Sequence, residues 1–270
     1  MHRLFLLRAF GDFVIAIQAI LKSNQAKELK VVASLHLEPL YLAISKFVDL
    51  KSINIEFVDF DVHASQVNLF TNRHLLETGT ISQIKKIKKY LAINPNHTGV
   101  DYIEQDKRRL LIETTLNHTF KPIVTDHNVY EQYAQFFAIT PVQISKEIPE
   151  GGKILILPDA RIEKRNIPQK LINKIQNGCN QKCLNYKVAY FKKLIDGADM
   201  YNNFFELIQL VNSSDLIVGA DSLPIHLSYF FNKPHCILYP NGGAKDFFTP
   251  FALENNYYSD FSSNEIPFLN

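Results

Sequence analysis

At 270 residues the chain can bury one large core or two modest ones. Its 46% hydrophobic and 21% charged content excludes wholesale disorder, and a formal net charge of +2 gives no electrostatic footprint for nucleic acid. Three cysteines, Cys179, Cys183 and Cys236, exclude a disulfide framework, and none has companions at zinc-site spacing. No metal is therefore expected, and a reducing cytoplasm fits best.

The chain opens on a strand. Leu4 to Leu7 is a continuous apolar run, as expected for a strand covered on both faces of a parallel sheet. It is too short for a signal-peptide core, and no stretch approaches the roughly 18 apolar residues of a membrane helix. Any membrane contact is expected from the surface. Ala9-Phe10-Gly11-Asp12 reads as a tight turn, and residues 13–21 as a buried helix interrupted only by Gln18. A second strand is expected over Lys30–Leu35, a second helix over 38–48, and a third strand over Ile53–Phe57. Residues 81–92 form an amphipathic helix with Ile81, Ile84, Ile87 and Leu91 on one side. Arg109–Glu113 is a candidate strand and 128–138 a helix. Thr140 to Gly152, with Pro141, Pro149, Gly151 and Gly152, is the best linker.

A second alternation follows. Lys153–Leu157 is a buried strand, and 168–177 a helix with Pro168 in its first turn. Val188–Phe191 is a weaker strand and 203–212 a helix. Leu216–Gly219 is a strand, 223–231 a helix, and Cys236–Tyr239 a final strand. Strands alternating with helices in two runs predict two doubly wound α/β lobes with a cleft between two sets of strand ends, where open sheets bind ligands.

Several residues at those ends suit chemistry. Gly11 permits an unusual backbone or a close ligand approach, and Asp12 beside it stands where a general base would be held rigid. Asp12 equally suits a plain helix cap. Asp221-Ser222 repeats the arrangement, followed by Pro224 and by His226 one turn into the helix. Free N–H groups and the helix dipole make such a terminus a phosphate site, to which Ser222 and His226 would add donors. Simple capping, and a core histidine bonded to a carbonyl, are the structural alternatives. Lys164 and Arg165 follow a strand and precede a helix, where cations can neutralise a diphosphate; otherwise they are solvated loop charges. Lys85, Lys86, Lys88 and Lys89 form either a face for an anionic membrane surface or the polar side of a packed helix. No Gly-x-Gly-x-x-Gly, Walker loop, His-Glu-x-x-His or Gly-x-Ser-x-Gly occurs.

Together these residues resemble glycosyltransferase family 9, the heptosyltransferases of lipopolysaccharide assembly. Arg8-Ala-Phe-Gly11-Asp12 resembles the family's opening R-x-x-G-D. Leu157-Pro158 through Lys164-Arg165-Asn-Ile-Pro168 resembles its strand and K-x-W-P loop, with Ile167 in place of tryptophan. Asp215 through Asp221-Ser222-Leu-Pro-Ile-His226, with later Lys233-Pro234, resembles its D-[ST]-G-x-x-H block, with Leu223 in place of glycine. The likeness spans about 110 residues; residues 50–140 carry none of it. It implies a GT-B fold: an acceptor-binding Rossmann-like lobe over 1–145, a nucleotide-sugar-binding lobe over 151–250, and a short tail over 251–270. It implies inverting transfer of a heptose-like sugar to a lipopolysaccharide-core or related glycan acceptor at the inner face of the membrane. The donor is a nucleotide-sugar, an ADP-sugar by resemblance, with no further cofactor. Asp12 matches the family's base; Arg165, Ser222, His226 and the helix N-terminus behind Asp221 match its diphosphate-binding side. Leu223, at a position where glycine lets a backbone N–H approach phosphate, motivates the alternative of a non-catalytic GT-B scaffold. A sugar-nucleotide epimerase or a UDP-sugar transferase is the third reading.

Overall fold

The structure, a computed structural model, describes residues 1–7, 9–24, 28–60, 78–93, 97–104, 118–125, 128–263 and 265–269, with backbone alone for 78–83. The chain divides into two compact units, Met1–His127 with Gln135–Ile139, and Asn128–Ala134 with Thr140–Asn270.

The first unit is a five-stranded parallel sheet in the order β3-β2-β1-β4-β5. Its strands are β1 His2–Leu6, β2 Leu29–Ser34, β3 Asn54–Val58, β4 Asp101–Ile103 and β5 Lys121–Pro122. The apolar run of β1 is central because neighbours cover both of its edges and helices cover its faces. The helix Phe10–Lys22 follows it and buries every residue from Phe13 to Ile20, Gln18 included. The helix Thr78–Ile93 turns Ile84, Ile87 and Tyr90 onto a core of Phe5, Leu7, Val32, Phe60, Ile103 and Phe120. At the amino ends of β1 and β4, the Arg3 guanidinium donates to both Asp101 carboxylate oxygens at 2.6 Å, with His118 at 2.7 Å. This buried pair fixes the register of Arg3 against Asp101.

The second unit is a six-stranded parallel sheet in the order β11-β10-β9-β6-β7-β8. Its strands are β6 Lys153–Leu157, β7 Asn185–Phe191, β8 Asp199–Tyr201, β9 Leu216–Ala220, β10 His235–Tyr239 and β11 Tyr258–Asp260. Counted within the unit, this is the 3-2-1-4-5-6 order of a dinucleotide-binding fold. The core of Ile154, Ile156, Val218 and Leu238 receives Ile172, Ile175 and Cys179 from the helix Gln169–Gln181, and Ile266 and Phe268 from the end of the chain. Packing at Gly219 is tight: a Cβ there would stand 3.3 Å from Ile225 and 3.4 Å from the Leu157 carbonyl. In each unit the winding reverses beside the first strand, between β1 and β4 and between β6 and β9. The carboxyl ends of those pairs are where such sheets bind ligands.

The two doubly wound α/β units match the expected fold class, with some differences in detail. Ala9–Asp12 is not a turn: Ala9 is the extended N-cap and the helix is under way at Phe10. Gly11 therefore sits in a first helical turn rather than in a left-handed bend. The helix expected to begin at Pro168 starts one residue later, with Pro168 as its N-cap. The candidate strand Arg109–Glu113 and the motif residue Arg8 lie outside the described residues.

Candidate functional site

The switch point of the second unit gathers residues from two crossovers. After β6 the chain runs through Pro158 and Asp159 into a short 3-10 turn, Glu163–Arg165, before the helix Gln169–Gln181. After β9 it turns at Asp221-Ser222 into the helix Leu223–Phe230. Arg165 and Asp221, 56 positions apart, meet here at Nη1–Oδ2 3.4 Å, with the Asp221 side chain 9% exposed. Burial raises the Asp221 pKa above the usual carboxylate range; Arg165 opposes the shift and Asp246 adds to it. Lys164 is exposed beside Arg165.

Ser222 is the N-cap residue of the helix, yet its side chain makes no cap bond. Its hydroxyl is directed at the Ala220 carbonyl, 3.2 Å away, and lies 3.5 Å from the Asp159 carbonyl. Pro224 has no N–H, and the Ile225 N–H donates to the Ser222 carbonyl. The anion-binding capacity of this terminus is thus concentrated at partly buried Leu223, and Arg165 is the cation beside it. Asp159 is a site residue that sequence reasoning missed. Its carboxylate accepts the Phe191 N–H at 3.1 Å and Lys193 Nζ at 2.7 Å, tying the β6 and β7 ends together. Its signal was its place two residues beyond the buried strand.

His226 lies inside the unit, 4% exposed, with Nδ1 2.9 Å from the Tyr130 hydroxyl. Burial, with His235 and Arg165 adding to it, lowers its pKa to about 3, so it is neutral at ordinary pH. Its partner is a hydroxyl from a residue 96 positions away. His235 is a second buried histidine, between Thr249 Oγ1 at 2.6 Å and the Lys233 carbonyl at 2.8 Å.

In the first unit, Asp12 occupies the first turn of the helix Phe10–Lys22, partly buried, where its charge suits the helix dipole. It does not occupy the N-cap position, which is Ala9. Across the switch point Glu104, 2% exposed at the end of β4, accepts the Leu7 N–H at 2.6 Å. Glu104 was also missed, because β4 is three residues long and carries no pattern. Of the lysine cluster, Lys86 pairs with Asp59 and Lys85, Lys88 and Lys89 are exposed, while the apolar side of the helix is spent on the core. Among the described residues no group of three or more histidine, cysteine or acidic side chains could hold a metal ion.

Comparison with protein-family models and with curated protein sequences gives no match. Solved structures do match. ADP-heptose lipopolysaccharide heptosyltransferase II of E. coli superposes with a TM-score of 0.58 at 12% identity, over 96% of this chain and 89% of that one. A glycosyl transferase family 9 structure from Veillonella parvula gives 0.55 at 12%, over 96% and 86%. The E. coli heptosyltransferase WaaC with ADP-2-deoxy-2-fluoro heptose gives 0.54 at 10%, over 96% and 92%. The fold is therefore GT-B, two Rossmann-like units. That is the fold class the motif resemblance implied.

Proposed function

We propose that the protein is a glycosyltransferase that moves a heptose-like sugar, with inversion, from a nucleotide-sugar donor to a lipopolysaccharide-core or related glycan acceptor. The observation that carries this reading is Arg165 beside Asp221 and the N-terminus of Leu223–Phe230, at the switch point of a unit wound 3-2-1-4-5-6. A guanidinium and a helix dipole at that point suit a diphosphate. The donor is an ADP-sugar by family resemblance, and the protein works on the cytoplasmic side.

In this reading Asp12 takes the proton of an acceptor hydroxyl as its oxygen bonds to the anomeric carbon from the face opposite the leaving group. The bond from that carbon to the diphosphate breaks, and the electron pair leaves on the diphosphate oxygen. Arg165 stabilises the growing negative charge, and the dipole of Leu223–Phe230 adds to it. No metal held by the protein is assigned a step. His226 fits a supporting place: bonded to Tyr130, it holds the helix rather than touching the donor.

The test is a thermal-shift titration with ADP, UDP, GDP and CDP, checked by calorimetry. A ligand that binds only the folded state raises apparent stability by mass action. Selective stabilisation by ADP supports the proposal and leads to turnover assays with ADP-sugars. Another nucleotide changes the donor and brings the epimerase and UDP-sugar readings forward. Leu223 favours the second reading, a GT-B scaffold without catalysis, because its side chain stands at the one helix position best placed to offer an N–H. Silence with all four nucleotides selects that reading.

A further inference from the structure

The connection from β7 to β8 is unusual for parallel strands, which need a crossover of about a dozen residues or more. Here residues 192–198 suffice, because β8 is three residues long and pairs Ala189 with Asp199 and Phe191 with Tyr201. The chain steps back by only two pairs. The loop closes by the Ala198 N–H donating to the Ile195 carbonyl at 3.1 Å, with Lys192 and Gly197 both at positive φ. No helix fills this crossover, and its tip is apolar and outward. Leu194 is 88% exposed, with Phe191 and Ile195 exposed beside it. Of the six large apolar residues exposed in this unit, five fall between Phe191 and Phe205.

The loop is also basic. Residues 192–198 carry Lys192 and Lys193 against Asp196. Lys187 pairs with Asp199 at 3.0 Å, and Lys193 with Asp159 at 2.7 Å, which anchors the loop base. Lys192 Nζ lies 5.2 Å from the centre of the Phe191 ring. Exposed apolar residues gathered on one loop, with lysines adjoining them, mark an interaction surface. Apolar groups that insert, with cations at their rim, match an anionic lipid surface. The helix Thr78–Ile93 buries Ile84, Ile87 and Tyr90, and among its described side chains Ile93 is the one large apolar residue exposed.

We propose that the Phe191–Ile195 loop is a membrane-docking tip, inserting Leu194 and Ile195 into an anionic bilayer surface with Lys192 at the headgroups. This is independent of the sugar-transfer reading. The test is co-sedimentation of the full chain with phosphatidylcholine vesicles, with and without phosphatidylglycerol, alongside light scattering. The wild type is expected to bind the anionic vesicles more strongly. Leu194→Asp should weaken binding roughly tenfold or more, and Lys192→Glu about fivefold on anionic vesicles alone. Both positions are exposed, so melting temperature and any nucleotide response should stay at wild-type values. Undiminished binding by Leu194→Asp overturns the proposal. So does a loss that follows only Lys85→Glu, Lys88→Glu and Lys89→Glu together, which would place the contact on the first unit. A wild-type dimer that Leu194→Asp dissociates, without vesicle binding, would instead make the tip a contact between copies.

Discussion

The two switch points are built alike and charged differently. In the first unit the gap between β1 and β4 is bridged by a carboxylate, Glu104, accepting a backbone N–H, with Asp12 in the next turn. In the second, the gap between β6 and β9 is bridged by a guanidinium, Arg165, against the buried carboxylate of Asp221. One winding order thus carries different side chains at its two switch points. Carboxylates can accept a proton but repel phosphate, while the guanidinium binds phosphate but cannot act as a base at neutral pH. A reaction needing both a base and a diphosphate site would divide its work between the units in this way.

That division can be broken by experiment. Asp12→Asn should lower transfer by about 10²–10⁴-fold, the usual contribution of a positioned general base, with ADP affinity within about twofold of wild type. Initial rates with an ADP-sugar, set beside calorimetry, check it, and normal turnover would remove Asp12 from the reaction. Arg165→Ala should do the reverse, weakening ADP binding about 10–100-fold through a lost charge-assisted bond. An unchanged dissociation constant would mean that the 3-10 turn does not touch the donor.

Acid should separate the units next. His226 and His235 have folded pKa values lowered to about 3 and about 4, against an unfolded value near 6.5. The unfolded chain therefore binds more protons below pH 6.5. Stability is whole above that pH and falls as pH drops toward about 4, by about 1.4 kcal/mol per histidine per unit. His97 of the first unit shifts the same way but keeps some contact with solvent. Hydrogen exchange at pH 6.5 and 4.5 should show protection lost chiefly in the second unit; equal loss in both would contradict this. The smallest effect is expected from Asn203→Ala. It removes the Asn203 Oδ1 bond to the Glu206 N–H at 2.9 Å, at about 1 kcal/mol, lowering the melting temperature by about 2–4 °C and leaving ADP binding unchanged.

The central strands were legible because a strand covered on both faces must be apolar at every position. Leu4–Leu6, Ile154–Leu157 and Leu216–Gly219 are such runs, and they lie in β1, β6 and β9. The shortest strands were not. Asp101–Ile103, Lys121–Pro122, Asp199–Tyr201 and Tyr258–Asp260 are two or three residues long, too short for any period, and Pro122 even lacks a donor. The same limit governs the site. Lys164, Arg165, Asp221 and Ser222 could be placed at strand ends by counting along the chain. Partners could not, because Arg165 finds Asp221 and His226 finds Tyr130 only through the winding of the sheet. The Ala9–Asp12 turn was misjudged for a local reason. Glycine next to aspartate is a turn signal, but the buried helix behind it extends its own first turn across both.

The last twenty residues have a consequence for how the protein is made. The helix Pro250–Asn255 and β11 close the outer edge of the second sheet, and Ile266 and Phe268 enter its core. Leu269 rests on Gly178, where even a methyl group would approach it to 2.6 Å. Both parts of the first unit have left the ribosome once residue 139 has, whereas the second still lacks a strand and two core side chains until residue 268 has been added. A chain cut short by a few residues would thus carry one finished unit and one lacking Ile266 and Phe268 from its core, and a cut before Tyr258 would also open the sheet edge to proteases and to pairing with other strands.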